Sequence, residues 1–268
     1  NPNNIPLFLY EKFFYVLFGS SGLWVMQVLN MLYVNLGAVL LYKLSQKHFN
    51  QKTADLVYLF YVSLICYSPY FYSMYTDIPP LPLIALQLWW SLDLLKENQA
   101  GISWKKMFGL GILSGVTMLI RPTTIIVMIA FWAVLFFRGN WKVFGKIATV
   151  TVMTTGFVFA GLNTAVNHQR VVPILKEEGL AKGPLLFINL GLTDMGHNQE
   201  DMKEGLLAYI DEDKRSDYNN GLFKKENVIK EIKRRLKEYG PFGLIGHIYY
   251  KQSLTVAEGT LGWLYRDV

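Results

Sequence analysis

Two charged residues interrupt the long apolar runs of this sequence at points where their chemistry could be used. Asp77, in "MYTDIPPLP", is the only charge between Asp55 and Asp93. Arg121, in "LIRPTT", is the only charge in residues 107–137. A carboxylate can act as a base or hold a metal ion, and the planar guanidinium suits two-point contact with phosphate. An acid and a base of these types predict chemistry on a phosphate-linked substrate.

Each of these residues also has a simpler interpretation. Asp77 or Thr76 could mark the start of a helix, because prolines follow and proline is favoured in the first turn. Arg121 could lie at a tight turn, neutralised by lipid phosphate. The following Pro122 indicates instead a helix break, where backbone can line a cavity. The local sequence leaves both interpretations open.

Most familiar catalytic and metal-binding motifs are missing from the sequence. It contains no P-loop, no Rossmann glycine fingerprint, no HExxH and no GxSxG. The four histidines are scattered, and no two have metal-ligand spacing on one helix. Cys66 is the single cysteine, which excludes an intrachain disulfide and a cysteine-based zinc site. A divalent cation held by carboxylate stays open as a cofactor, and no other cofactor is indicated.

Long uncharged runs must form the frame that positions Asp77 and Arg121. Hydrophobic residue types make up 52% of the 268 residues, and charged types only 17%, below the roughly 25% of soluble domains. A membrane span needs about 20 mainly apolar residues, and lipid offers backbone groups no partner, so we expect helices. The sequence predicts an all-α polytopic membrane protein with six spans, at about 21–45, 53–73, 79–95, 105–120, 123–138 and 143–165.

Basic residues gather in alternate connections between the predicted spans. The loops 43–52, 96–106 and 138–146 each carry three lysine or arginine residues. The connections that hold Asp77 and Arg121 contain no other basic residue. By the positive-inside rule the three basic loops are cytoplasmic. Asp77 and Arg121 are then predicted to share the outer face.

The two ends of the chain are also predicted to lie on the outer face. Residues 1–20 are apolar and aromatic but include Glu11 and Lys12, which indicates an interfacial helix. Residues 168–268 are charged and mixed, as in a mainly helical extracytoplasmic domain. The net charge of +6 arises within residues 1–167, since the later part balances. We therefore attribute the basic excess to topology and expect no nucleic-acid partner.

Several local patterns predict structure rather than chemistry. Residues 224–239 form an amphipathic helix pattern that ends at Gly240-Pro241. Residues 183–192 are predicted as a short strand or a buried linker, and Asn198 could cap a further helix. Close helix packing is predicted at three small residues of the fourth span, Gly109, Gly111 and Gly115.

Several stretches of the sequence resemble one family of membrane enzymes. They are "NPNNIPLFLYEKFFYVLFG", "YSMYTDIPPLPLIAL", "MLIRPTTII" and the series "LFINLGL", "GHNQEDM", "IKRRLKEYG" and "YYKQSLTVAEGTLGW". Each is short, but in this order they resemble the GT-C glycosyltransferases over nearly the whole chain. They resemble in particular the Gram-positive bacterial relatives of the dolichyl-phosphate-mannose–protein mannosyltransferases.

The resemblance implies transfer of a sugar from a polyprenyl-phosphate-linked donor to a cell-envelope acceptor. The acceptor would be a glycan, a lipid or a protein, at the outer face of the bacterial plasma membrane. By position, Asp77 would be a supporting catalytic acid and Arg121 a contact to the donor phosphate. The further substrate-binding candidates are Tyr75, Asn3, Asn4 and Asn198. The family's main catalytic acid lies in an outer loop that would precede Asn1, so we expect a fragment of a longer enzyme.

Other classes of membrane protein share much of this topology. A polymerase or ligase that moves whole lipid-linked glycans would need a wider and more basic outer cavity. A transporter or flippase would need inverted repeats and polar residues at mid-membrane, and the sequence contains no visible repeat. A scaffold that only binds also stays open.

Overall fold

The computed structural model describes residues 4–66, 75–97, 102–172, 184–192 and 225–257. Every element of regular structure within those residues is a helix. The predicted all-α class is therefore confirmed. The chain divides into two compact units. The first consists of Asn4–Pro173, and the second consists of Ile174–Val268 together with Asn1–Asn3.

The described residues of the first unit form seven α-helices. They are α1 Ile5–Phe18, α2 Gly22–His48, α3 Gln51–Cys66, α4 Leu81–Lys96, α5 Trp104–Ile120, α6 Ile125–Phe137 and α7 Trp141–His168. Short 3-10 turns at Gly19–Ser21 and Pro122–Thr124 join α1 to α2 and α5 to α6. Side-chain caps fix three of the starts. Asn50 accepts from the Thr53 N–H before α3, Ser103 accepts from the Lys106 N–H before α5, and Asn140 accepts from the Val143 N–H before α7.

Each of the six predicted spans coincides with one of the helices α2 to α7. The helix ends differ from the predicted ones by at most three residues, except that the end of the second predicted span lies outside the described residues. Ile5–His48 and Trp141–His168 are long and apolar enough to cross a membrane. Large apolar side chains on the bundle surface, such as Phe137 and Phe157, are more than four-fifths exposed. Such exposure is typical of surfaces that contact lipid or a partner.

The core of the first unit lies where α4, α5, α6 and α7 meet. Its buried side chains are Leu94, Ile102, Met107, Leu110, Met128, Phe131, Leu135 and Ile147. Gly111 and Gly115 allow α5 and α7 to approach closely: a Cβ added at Gly111 would lie 2.6 Å from Cβ of Thr154, and one at Gly115 would lie 2.8 Å from Cβ of Val158. The close packing predicted from these small residues is present.

The polar connections of the bundle separate into two ends. Lys47, Asp93 and Lys106 meet at one end, which joins the C-termini of α2 and α4 to the N-terminus of α5. Arg138, after α6, donates from Nη1 to the Leu95 carbonyl at the same end. The three basic loops therefore share one end of the bundle. The connections of Asp77 and Arg121 share the other.

The segment predicted as an interfacial helix forms α1. Gly19 ends it with a φ of 56°, a left-handed conformation that favours glycine. Gly22 then lies against the α1 backbone, since an added Cβ would be 2.8 Å from the Phe14 carbonyl oxygen. Lys12 donates to the Val171 carbonyl oxygen at 2.6 Å, beyond the end of α7. These contacts hold α1 at the end of the bundle where α2 starts and α7 ends.

In the second unit, the prediction for residues 183–192 was wrong. The segment was expected as a strand or linker, but Pro184–Gly191 is a helix, α8. Apolar Leu185 and Leu192 recur at helical spacing and pack against Val228 and Ile232. A short, mainly apolar segment does not by its composition distinguish a buried strand from a buried helix.

The long helix α9, Lys225–Ala257, forms the rest of the second unit's described part. Its first half is the amphipathic helix predicted at 224–239. Gly240 has a φ of 60° and breaks the helical path, as predicted. Pro241 then begins a second helical stretch in a new direction. The second half, Pro241–Ala257, was not predicted.

Candidate functional site

Asp77 and Arg121 form an ion pair at one end of the bundle. The distance from Nη1 of Arg121 to Oδ1 of Asp77 is 2.5 Å. The Arg121 side chain remains 35% exposed and the Asp77 side chain 29% exposed. The two residues predicted to share one face are thus in direct contact, and both can be reached from outside the protein.

The local sequence around Arg121 fixes the guanidinium. The residue before a proline avoids helical backbone angles, and Arg121 is extended, with φ −145° and ψ 106°. Its N–H donates to the Thr117 carbonyl at 2.8 Å, and its carbonyl accepts from the Thr124 N–H at 3.1 Å. Its Nε donates to Thr123 Oγ1 at 3.1 Å. The break at Pro122 therefore holds the side chain between Thr123 and Asp77.

Asp77 lies in the connection between α3 and α4. Ile78 and Pro80 beside it are buried, and the Leu81 N–H donates to the Ile78 carbonyl at 3.1 Å. Helix α4 begins at Leu81, and no side chain caps it. Asp77 therefore does not serve as the helix cap considered from the sequence; its carboxylate contacts Arg121 instead.

The other predicted substrate-binding residues are less closely tied to this pair. Tyr75 is exposed and lies two residues before Asp77. Asn4 precedes α1 without capping it. Asn3 and Asn198 lie outside the described residues. In the part of the chain that the structure describes, no three histidine, cysteine, aspartate or glutamate side chains are placed to hold a metal ion together.

The opposite end of the bundle carries a polar cluster that the sequence interpretation missed. We call Asp93, Glu97, Lys47, His48 and Lys106 the Asp93 cluster. The Asp93 carboxylate accepts from Lys47 Nζ at 2.7 Å and lies 3.2 Å from Lys106 Nζ. Nε2 of His48 is 2.9 Å from Asp93 Oδ1 but is not aligned for a hydrogen bond. The Asp93 side chain is only 10% exposed.

Glu97 completes the Asp93 cluster at the end of α4. Burial raises the pKa of Glu97, but hydrogen bonds from Lys106 and from the Ser103 N–H outweigh burial and lower it below its ordinary value. Both carboxylates of the cluster are paired with lysine. This pairing favours a structural role, in which the cluster joins helix ends, over a catalytic one. A sequence signal did exist, because Asp93 and Glu97 sit beside lysine-rich loops.

Neutral polar side chains are buried between the two ends of the bundle. They include Asn30 of α2, Gln87 and Ser91 of α4, Ser114 and Thr117 of α5, and Thr151 and Thr155 of α7. Nε2 of Gln87 donates to Thr117 Oγ1 at 2.6 Å, and Thr117 Oγ1 donates to the Ser114 carbonyl at 3.2 Å. The bond from Gln87 joins α4 to α5, whereas the bond from Thr117 to Ser114 lies within α5.

Comparison with known proteins places the chain at the level of a family. The model of one family matches residues 1–267, and that family is described as conserved hypothetical integral membrane protein. No curated protein and no solved structure matches the chain.

Proposed function

The chain belongs to the family of conserved hypothetical integral membrane proteins, and from this premise we propose that it is a membrane glycosyltransferase. The donor would be a sugar linked to a polyprenyl phosphate. The acceptor would be a glycan, lipid or protein of the cell envelope. The observation that carries the proposal is the contact between Asp77 and Arg121 at one end of the bundle.

The chemistry of the pair matches the two needs of sugar transfer from a lipid phosphate. An exposed guanidinium can bind a phosphate diester through two parallel N–H donors. A carboxylate within hydrogen-bond reach can take a proton from an acceptor hydroxyl. Both groups are partly exposed, so substrate and acceptor can approach them. Uncharged spans on either side would hold the polyprenyl chain in lipid.

The proposed reaction begins when the donor binds. The donor phosphate competes with Asp77 for Arg121, so donor binding releases the carboxylate. An acceptor hydroxyl then attacks the anomeric carbon while its proton passes to Asp77. The bond between that carbon and the phosphate oxygen breaks, and polyprenyl phosphate leaves with its negative charge stabilised by Arg121. Asp77 acts here as a supporting acid–base group.

The proposal places this chemistry on the outer face of a bacterial plasma membrane. The basic loops at the opposite end of the bundle support that orientation by the positive-inside rule. The second unit, which follows α7, would then be extracytoplasmic and would help to select the acceptor. A divalent cation stays open as an aid to phosphate binding, with Asp77 as its nearest carboxylate.

Substitution in the full-length protein tests the proposal. We expect Asp77→Asn and Arg121→Ala each to reduce sugar transfer at least about tenfold, which corresponds to about 1.4 kcal/mol of barrier. Asp55→Asn on α3 and Arg170→Ala after α7 are the matched controls, since both residues are exposed. They should leave transfer within about twofold. Near-normal transfer by both site variants, with folded protein retained, would overturn the site assignment.

One observation favours a second candidate, a transporter or flippase. Polar side chains at mid-bundle, such as Gln87 and Thr117, are buried in neighbouring helices. If they line a transport path, Gln87→Leu with Thr117→Val will abolish solute movement and leave folding intact. If they only join α4 to α5, the double variant will change stability and spare sugar transfer.

A further inference from the structure

The second half of α9, Pro241–Ala257, has one face that packs and one that does not. Leu244 packs with the apolar cluster of α8 and α9. His247 is buried and lies 3.0 Å through Nε2 from the Gly191 carbonyl oxygen. Its ring also stacks near Tyr239, with centroids 4.6 Å apart. These contacts fix the rotation of the half-helix against α8.

The opposite face of this half-helix is apolar and aromatic. Phe242, Ile245, Ile248 and Tyr249 recur at helical spacing and share an arc of about 120°. Their exposed fractions are 89%, 65%, 59% and 78%. We call these four side chains the α9 apolar face. Isolated exposed apolar residues are common, but a contiguous aromatic arc of this kind marks a site of interaction.

Charge separates the two halves of α9. Across Lys225–Ala257 there are seven basic and three acidic residues, a net charge of +4. All of the basic residues except Lys251 precede the Gly240 kink. The helix therefore combines a basic first half with an apolar face in the second half. That combination suits a partner whose surface is negatively charged and whose interior, just below that surface, is apolar.

We propose that the α9 apolar face lies in the interfacial layer of an anionic membrane. An amphipathic helix of this kind inserts about 5–10 Å into the boundary between head groups and acyl chains. Tyr249 is of the residue type enriched at that depth, and Phe242 and the two isoleucines supply buried apolar area. The basic first half adds attraction to anionic head groups, worth about 1 kcal/mol per basic residue near the surface, and less for Arg234 and Arg235, which are paired with Glu231.

The half-helix is suited to lie in the surface rather than to cross it. Pro241–Ala257 has 17 residues, at the lower limit for a span. Its inner face holds His247 against α8, and Lys251 and Gln252 interrupt the apolar pattern. A crossing helix would have to bury these polar groups in hydrocarbon at high cost. The proposal is independent of the glycosyltransferase assignment, because it concerns attachment and not chemistry.

Spin-label accessibility in the full-length protein tests this orientation. In a Cys66→Ser background, single labels are placed at Ile245→Cys and Tyr249→Cys, with Phe242→Cys as a further position if either variant fails to fold. Glu226→Cys, on the exposed part of the basic half, is the control. The protein is reconstituted in vesicles of phosphatidylcholine and phosphatidylglycerol. Collision with dissolved oxygen and with a neutral nickel chelate is then measured at each position.

The expected result is high oxygen and low nickel accessibility at 245 and 249, with the reverse at 226. A ratio of oxygen to nickel accessibility that is at least about fivefold higher at 245 than at 226 would support insertion. High nickel accessibility at 245 and 249 would place the face in water and overturn the proposal. Low accessibility to both reagents would overturn it as well, since the face would then be covered by protein.

Discussion

Replacement of Asp93 by asparagine should lower the free energy of unfolding of the first unit. Asp93 is nearly buried, and its carboxylate accepts from Lys47 at 2.7 Å and lies 3.2 Å from Lys106. The amide is of similar size but carries no charge. The substitution therefore removes the shared anion and leaves the packing volume almost unchanged.

The size of the effect follows from the exposure of the partners. Removing one member of a fully buried ion pair costs about 3–5 kcal/mol, whereas exposed pairs contribute about 0–1 kcal/mol. Lys47 is 50% exposed and can turn toward water. Lys106 keeps a 2.5 Å contact with Glu97. We therefore expect a loss of about 2 kcal/mol for Asp93→Asn.

Substitution of the partner Lys47 provides the comparison. Lys47→Met removes one half-exposed partner but leaves Asp93 paired with Lys106, so it should cost about 0.5–1 kcal/mol. Asp55→Asn replaces an exposed carboxylate that accepts from Gln51 on its own helix and from Tyr42 on α2; the amide oxygen can still accept, so the change should stay within about 0.5 kcal/mol. Unfolding in mixed micelles, followed by tryptophan fluorescence, gives all three values. An Asp93→Asn cost no larger than that of Lys47→Met would refute the idea of a shared anchor.

Two further predictions concern helix packing and pH. Gly115→Ala would place a Cβ 2.8 Å from Cβ of Val158 and should cost about 1–3 kcal/mol, whereas Gly161→Ala, with open space around it, should be neutral or stabilising in the same unfolding assay. Hydrogen bonds from Arg234 lower the pKa of Glu231 to about 2 from its ordinary 4.5. Because the folded pKa is the lower one, this stabilisation is present above pH 4.5 and fades as the pH falls toward 2. The difference in thermal unfolding between the parent and Glu231→Gln should therefore be largest near pH 6 and vanish near pH 2, and a difference that is constant with pH would contradict it.

Much of the first unit was predictable because lipid imposes simple rules on sequence. Long runs without charge had to become helices, and α2 to α7 fall where those runs lie. Alternating basic loops indicated which connections share an end. The same rule predicts that Asp77 and Arg121 share one face, and the 2.5 Å distance between them agrees with that prediction.

The remaining features depend on tertiary contacts that no local pattern records. Asp93 could be read as an ordinary charge at a span end, because only the fold brings Lys47 to it from 46 residues away. The 183–192 segment was misassigned because its helix is selected by packing against Val228 and Ile232. The continuation of α9 past Gly240 likewise depends on the contact between His247 and α8.

Binding of polyprenyl phosphate to the full-length protein in nanodiscs tests the central claim most directly. If Arg121 holds the donor phosphate, Arg121→Ala should weaken binding at least about tenfold. Asp77→Asn should bind as well as the parent or more tightly, because the amide no longer competes for the guanidinium, while sugar transfer falls. Equal binding by the parent and Arg121→Ala, or a matching loss in Asp77→Asn, would contradict the account.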